Sequence, residues 1–299
     1  MLSGIQFAII GGDARQLEVI QTLLELDATV ILIGFDKLEN QYKGVMKANL
    51  ERHVLENVHA VILPAVGGDD MGIIQSIFSL QDIRMTDEHI SYLPKHAKIY
   101  TGMARSYLKK LCSKHQIEIV ELFERDDVSI YNSIPTAEGA LMMAIQNTDI
   151  TIHGSQCLVL GFGRTGFTLS KTLHSLGAII KVGDRKDEHL ARAYEMGFQA
   201  FSLNQLNEQV ADADLIFNTI PSLVLTPNVL TNVQHRAVII DIASKPGGTD
   251  FRFAEKRGIK ALFAPSLPGM VAPKTAGQII ANALIHLLMK ESSTVELVP

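Results

Sequence analysis

Residues Gly154 to Lys186 read GSQCLVLGFGRTGFTLSKTLHSLGAIIKVGDRK, and the order of residue types in this stretch sets the fold. A short apolar run, Cys157 to Leu160, passes directly into Gly161-Phe162-Gly163-Arg164-Thr165-Gly166. An amphipathic segment then runs to Leu176, and a second apolar run ends in Gly183-Asp184-Arg185-Lys186. The spacing predicts strand, tight turn, helix and second strand. The first glycine lets the chain turn sharply, the second lets a pyrophosphate approach the backbone, and the third lets the helix pack on the sheet. Phosphates would then sit on the N–H groups of Arg164, Thr165 and Gly166 at the helix start. Asp184 falls about 20 residues on, where a carboxylate grips the adenosine ribose. A glycine triplet alone is a weak signal; five features in the right order are a strong one.

Around this stretch, the 299 residues are 47% apolar, enough for a full core and, by length, about two domains. With 27 basic and 32 acidic residues no basic face argues for nucleic acid. Two cysteines, Cys112 and Cys157, lack metal-ligand spacing and read as reduced packing residues. No metal site is expected. The start shows no signal-peptide pattern, and no apolar run reaches the ~20 residues of a membrane helix, so a cytoplasmic protein with no membrane contact is expected.

The front of the chain repeats the pattern. Gly4-Ile5-Gln6-Phe7-Ala8-Ile9-Ile10-Gly11 aligns with Gly154-Ser155-Gln156-Cys157-Leu158-Val159-Leu160-Gly161. Further runs at 60–64, 97–100 and 117–120 answer those at 215–219, 237–240 and 259–262. Strands alternating with helices give a parallel, doubly wound sheet. The expected fold is α/β: two Rossmann-like domains, at 1–131 and 151–270. A linking segment at 132–150 joins them, and a C-terminal helix at 271–299 crosses back onto the first. Pro135 should stop what precedes it, with Thr136 capping a helix to about Asn147. A second helix is expected from Thr275 to Met289, with a frayed tail from Glu291.

The two copies differ at the first turn. Asp13 stands where Gly163 stands, and Gln16 where Gly166 stands. A carboxylate there would repel a pyrophosphate, so the first domain is expected to supply a substrate half. Arg15 can grip a substrate carboxylate bidentately; equally, Asp13 can cap the helix while Arg15 pairs on the surface. In the second domain Asn218, Thr219 and Pro221 end one strand and Asp241 ends the next, which puts small polar groups beside the nicotinamide. Ser244 and Lys245 follow on a proline-glycine turn, where Lys245 can bind a carboxylate or tune a proton transfer, or equally be a solvated loop lysine. Asn132 and Thr136 are candidate ring contacts. Glu138 reads more naturally as a charge near a helix start.

Taken together, GGDARQ, NSIPTAEGALMMAI, GFGRTG, DIASKPGGTDF and APSLPGMVAPKTAGQII resemble the A-subunit family of bacterial dipicolinate synthases, nearly end to end. The resemblance implies a nicotinamide-dependent oxidation of a dihydro- or hydroxytetrahydro-dipicolinate to pyridine-2,6-dicarboxylate during sporulation. It also implies a partner, a flavoprotein-like B subunit, hence a hetero-oligomer, in the mother-cell cytoplasm. A dicarboxylate substrate calls for cationic contacts, and Arg15 and Lys245 are the candidates, with Asn132, Thr136 or Ser244 orienting the ring. The cofactor is NADP or NAD. Asp184 favours NAD, whereas Arg185 and Lys186 favour NADP if Asp184 turns away. A 2-hydroxyacid dehydrogenase would share the layout but carries a histidine in its last active-site loop, which here reads APSLPG. A methylenetetrahydrofolate dehydrogenase resembles the PGMVAP loop, but its usual tyrosine–lysine catalytic pair is not evident in the first half. A nucleotide-sensing protein without catalysis is the reading from another class.

Overall fold

A computed structural model of the chain describes residues 1–39, 42 and 44–295. The chain divides into two compact units, Met1–Val128 with Pro273–Pro299, and Ser129–Ala272. In the first unit the strands are β1 (Gln6–Ile10), β2 (Thr29–Ile33), β3 (Val45–Ala48) and β4 (Ala60–Ile62). A short antiparallel pair follows, β5 (Ile73–Ile74) and β6 (Ile83–Arg84), and then β7 (Lys98–Thr101) and β8 (Glu118–Glu121). The second unit holds β9 (Gln156–Leu160), β10 (Ile179–Asp184), β11 (Gln199–Ser202), β12 (Leu215–Asn218), β13 (Val238–Asp241) and β14 (Lys260–Phe263). Among the described residues these form two six-stranded parallel sheets, ordered β3-β2-β1-β4-β7-β8 and β11-β10-β9-β12-β13-β14. The orders are the same, so the duplication read from the sequence is a duplication of topology. In each sheet the order reverses beside the first strand, where open α/β sheets place ligands.

Side chains alternate across each sheet, and both faces are buried. Phe7 and Ile9 pack on one face of β1, with Val30, Leu32, Ile62 and Tyr100; Ala8 and Ile10 pack on the other, with Ile31, Ile33, Val61 and Ile99. In the second unit Cys157 and Val159 join Ile180, Phe217 and Ile240, while Leu158 and Leu160 join Ile216 and Ile239. A period of two with both faces covered by helices explains the continuous apolar runs. The two cysteines are buried and free, and burial pushes the Cys112 thiol up to about 12 and that of Cys157 to about 11. Neither is a nucleophile at neutral pH.

The first helix, Arg15–Glu25, buries Val19, Ile20 and Leu23 against the first sheet. The C-terminal helix, Pro273–Val295, lies against it, adding Ile280, Ala281, Ala283 and Leu284 to the same core, with Gln278 Nε2 donating to Glu18 Oε2 at 3.2 Å. It starts and ends beyond the expected Thr275–Met289. The tail expected to fray from Glu291 is helical to Val295, and residues 296–299 lie outside the described residues.

The linking segment departs from expectation. One helix runs from Asp126 to Asn147 with Pro135 inside it, so Pro135 does not stop it and Thr136 is not a cap. Proline removes one intrahelical donor. Around it, Ser133 Oγ donates to Ile130 O at 2.6 Å and Thr136 Oγ1 to Asn132 O at 2.7 Å. These hydroxyls supply donors to carbonyls on the turn that proline disrupts, and burial of Ala137, Ala140 and Ala144 in the second core holds the helix on. Propensity is overridden by tertiary packing.

Candidate functional site

The second unit's first turn assigns a separate job to each glycine. Gly161 has φ 89°, its N–H donates to Gly183 O at 2.8 Å, and a side chain there would press on Thr219 and Ile220. Gly166 begins the packing of the helix Arg164–Ser175; a Cβ there would overlap the Gly161 carbonyl. Gly163 is the N-cap of that helix, at φ −75°, with no side-chain cap bond, and a Cβ built on it would meet nothing within 4 Å. The space in front of Gly163 is open and faces a helix N-terminus, which favours an anion. A dinucleotide pyrophosphate fits this donor set.

Asp184, the last residue of β10, is 8% exposed. Its Oδ1 accepts from the Arg185 N–H at 2.7 Å and the Lys186 N–H at 2.9 Å. Its Oδ2 accepts from the Phe162 N–H at 2.6 Å and from His189 Nδ1 at 3.0 Å. Burial pushes the carboxyl upward, but these donors, Lys186 and His189 foremost, outweigh it and hold the group below the ordinary carboxylate range. A carboxylate has about four lone-pair sites, and all four are taken. Arg185 is exposed, with no side-chain partner among the described residues, and Lys186 is exposed, with Glu188 4.0 Å away. Sequence reasoning missed His189, one turn into the helix Asp187–Glu195. The readable signal was a histidine five residues after the acid, across a short turn.

Asn218 and Asp241, expected beside the nicotinamide, are fully buried and spent on each other and on nearby backbone. Asn218 Nδ2 donates to Asp241 Oδ1 at 2.9 Å and to Ile220 O at 3.0 Å, and the Ile220 N–H donates back to Asn218 Oδ1 at 3.1 Å. Asp241 also accepts from the Ala243 N–H at 3.2 Å, the Gly248 N–H at 2.8 Å and Thr249 Oγ1 at 2.7 Å. This network fixes the loops that follow β12 and β13, leaving Thr219 half-buried and Pro221, Ser244 and Lys245 exposed at that edge. Thr219 Oγ1 donates to Leu160 O at 2.9 Å. Thr249, the third member of the network, carries no signal in the sequence that marks it as one. Asn132 and Thr136 sit half-buried on the linking helix, and Glu138 is exposed on it.

In the first unit, Asp13 and Arg15 stand at the carboxyl end of β1 and hold each other. Arg15 Nε donates to Asp13 Oδ1 at 2.9 Å and Nη2 to Oδ2 at 2.6 Å, and the Arg15 N–H also reaches Oδ1 at 3.0 Å. Burial pushes the Asp13 carboxyl upward, but the hydrogen bonds and charge of Arg15 outweigh it, so the group rests below its ordinary value. The Arg15 side chain is 12% exposed. Asp13 uses its Nε–Nη2 edge only.

Among the described residues no group of three or more His, Cys, Asp or Glu is placed to hold a metal, and no helix is long and apolar enough to cross a membrane. Residues 6–123 match the N-terminal domain of the dipicolinate synthase A subunit, and residues 132–297 match the alanine dehydrogenase/PNT C-terminal domain. The dipicolinate synthase A subunit of Bacillus subtilis (strain 168) is 49% identical over 288 residues, spanning 96% of this chain and 97% of that one. The chain belongs to the dipicolinate synthase A-subunit family. The crystal structure of the A subunit from Bacillus halodurans superposes with TM-score 0.94 at 49% identity, covering 96% of this chain and 99% of that one. The crystal structure of its Bacillus subtilis counterpart gives 0.93 at 48%, covering 98% and 99%. Membership of this family, with its dehydrogenase-type second unit, makes the chain an oxidoreductase built to hold a nicotinamide cofactor.

Proposed function

We propose that the chain oxidises a dihydrodipicolinate-type precursor to dipicolinate, pyridine-2,6-dicarboxylate, with NADP as the hydride acceptor. It does so in the mother-cell cytoplasm of a sporulating bacterium, in a hetero-oligomer with a B subunit. The observation that carries the reading is an open glycine cradle at Gly163 beside a saturated Asp184, in a chain of this family. A bound nicotinamide would supply the hydride acceptor, and the ring would release a proton as it becomes aromatic. The backbone from Gly161 to Gly166 seats the pyrophosphate, with Arg164 and Thr165 at the first helical positions. Arg185 and Lys186 hold the 2′-phosphate, since Asp184 has no lone pair left for a ribose hydroxyl. Thr219 and Pro221 flank the nicotinamide end, and Asn218 with Asp241 acts by bracing their loop.

Dicarboxylate binding requires fixed cations. In the first unit Arg15 is the carboxylate contact, oriented by Asp13 so that its Nη1 edge remains for substrate. In the second unit Lys245 is the carboxylate contact, with Ser244 beside it and Asn132 and Thr136 as ring-orienting groups. The test is dipicolinate formation, followed by its ultraviolet absorbance, with NAD or NADP and with each of the two proteins omitted in turn. Formation that needs this chain and NADP supports the reading. No product from any combination that contains this chain sinks it.

A further inference from the structure

The glycine cradle and its acid have beside them one side chain that neither the motif nor the reaction accounts for. His189 points back from its helix, and its Nδ1 lies 3.0 Å from Asp184 Oδ2. Backbone N–H groups of Phe162, Arg185 and Lys186 fill the other three acceptor positions. Those three bonds come with the path of the chain. The fourth depends on one side chain, half-buried, with 29% of its surface exposed.

An acidic residue here normally discriminates for an unphosphorylated ribose, by accepting its hydroxyls and repelling a 2′-phosphate. Both actions depend on the carboxylate being available. With all lone pairs used, the hydroxyl of NAD finds no acceptor, and a hydroxyl that displaces a charge-assisted bond gains nothing net. The carboxylate's charge is also spread over four donors, which weakens its repulsion of a phosphate placed near Arg185 and Lys186. We propose that His189 is a specificity-determining residue: by occupying the last acceptor position of Asp184, it withdraws that carboxylate from ribose recognition and tilts the site from NAD toward NADP. This rests on the reading of the turn as a nicotinamide-cofactor site. His189 is a positioning residue, acting through Asp184.

Binding of NAD⁺ and NADP⁺ to the full chain, measured by calorimetry, tests the lock. In His189→Ala the freed Oδ2 accepts a ribose hydroxyl. NAD⁺ then binds about tenfold tighter relative to NADP⁺ than in the unmodified chain, the scale of one charge-assisted hydrogen bond. His189→Gln, which keeps an amide donor, holds the original ratio. A purely structural role would weaken both nucleotides together and leave the ratio alone. A ratio unchanged within about twofold in His189→Ala therefore overturns the proposal. A second pair of measurements separates this failure from that of the NADP reading. Arg185→Ala and Lys186→Ala should weaken NADP⁺ and spare NAD⁺; if they do not, the 2′-phosphate assignment fails whatever His189 does. Far-UV circular dichroism and the thermal midpoint confirm that each variant is folded.

Discussion

The two first turns of this molecule share a backbone and differ in chemistry. Gly11 donates to Ile33 O at 2.8 Å and Gly161 to Gly183 O at 2.8 Å, the same bond from the first strand's end to the second strand. Beyond it they part. In the first unit Gln16 is buried at 2% exposure, with Nε2 3.4 Å from Leu63 O, and it fills the space over Gly12, while Asp13 puts an ion pair where an anion would come. In the second unit Gly166 leaves that space to close backbone packing and Gly163 leaves the anion position open. One scaffold therefore yields a turn filled by a side chain and an ion pair and a turn left open before a helix N-terminus, and two side chains, Asp13 and Gln16, account for the change.

The largest effect is expected when the first unit's acid is moved to the second. Gly163 lies at an ordinary φ and at an N-cap, a position where aspartate is favoured, so Gly163→Asp should fold with a thermal midpoint within a few degrees of the parent. Nucleotide affinity should fall more than about a hundredfold, since the new carboxylate meets two phosphates at close range. Nucleotide binding left intact in calorimetry would show that the open space is not the phosphate site.

Removing the charge at the second unit's acid should cost stability instead. Asp184→Asn replaces a carboxylate that accepts four donors with an amide that cannot, at a cost of about 3 kcal/mol in urea unfolding at neutral pH. The folded carboxyl is depressed, so its contribution is fully present above the unfolded value of about 3.9 and is lost as pH falls through the lower folded value. The gap between parent and variant should therefore shrink below about pH 4, and a gap that widens there would contradict the assignment.

Smaller effects define the first unit's role. Arg15→Ala and Lys245→Ala should each raise KM for the dicarboxylate about tenfold, with NADP⁺ affinity unchanged in calorimetry. Unchanged kinetics in both would remove the carboxylate contacts. Smallest of all, Asp13→Gly should not create a nucleotide site in the first unit, because Gln16 still fills the turn; measurable binding there, with Gly163→Asp in the same chain to silence the second unit, would show that the acid alone was the bar.

Much of the fold was legible. The paired runs at Gln6–Ile10 and Gln156–Leu160, and the three further pairs of runs, set a duplicated parallel sheet through periodicity that needs no long-range information. Pro135 misled because local rules forbid it inside a helix, while neighbouring hydroxyls and a buried alanine face, neither visible locally, permit it. Asn218 and Asp241 misled differently: a strand end marks where a polar residue sits, but not whether its partner is a ligand or another loop.

Order of residue types along the chain thus specifies the topology, the glycine loop and the acid that follows it, because strand period, turn geometry and helix capping act over a few residues at a time. Which polar groups are still available to a ligand is fixed only once the chain has folded. Hydrogen-bond capacity is finite, and whether Asp184, Asp241 or Arg15 has any left depends on donors and acceptors brought together by folding: His189 from the next helix, Thr249 from a later turn, Asp13 from its own.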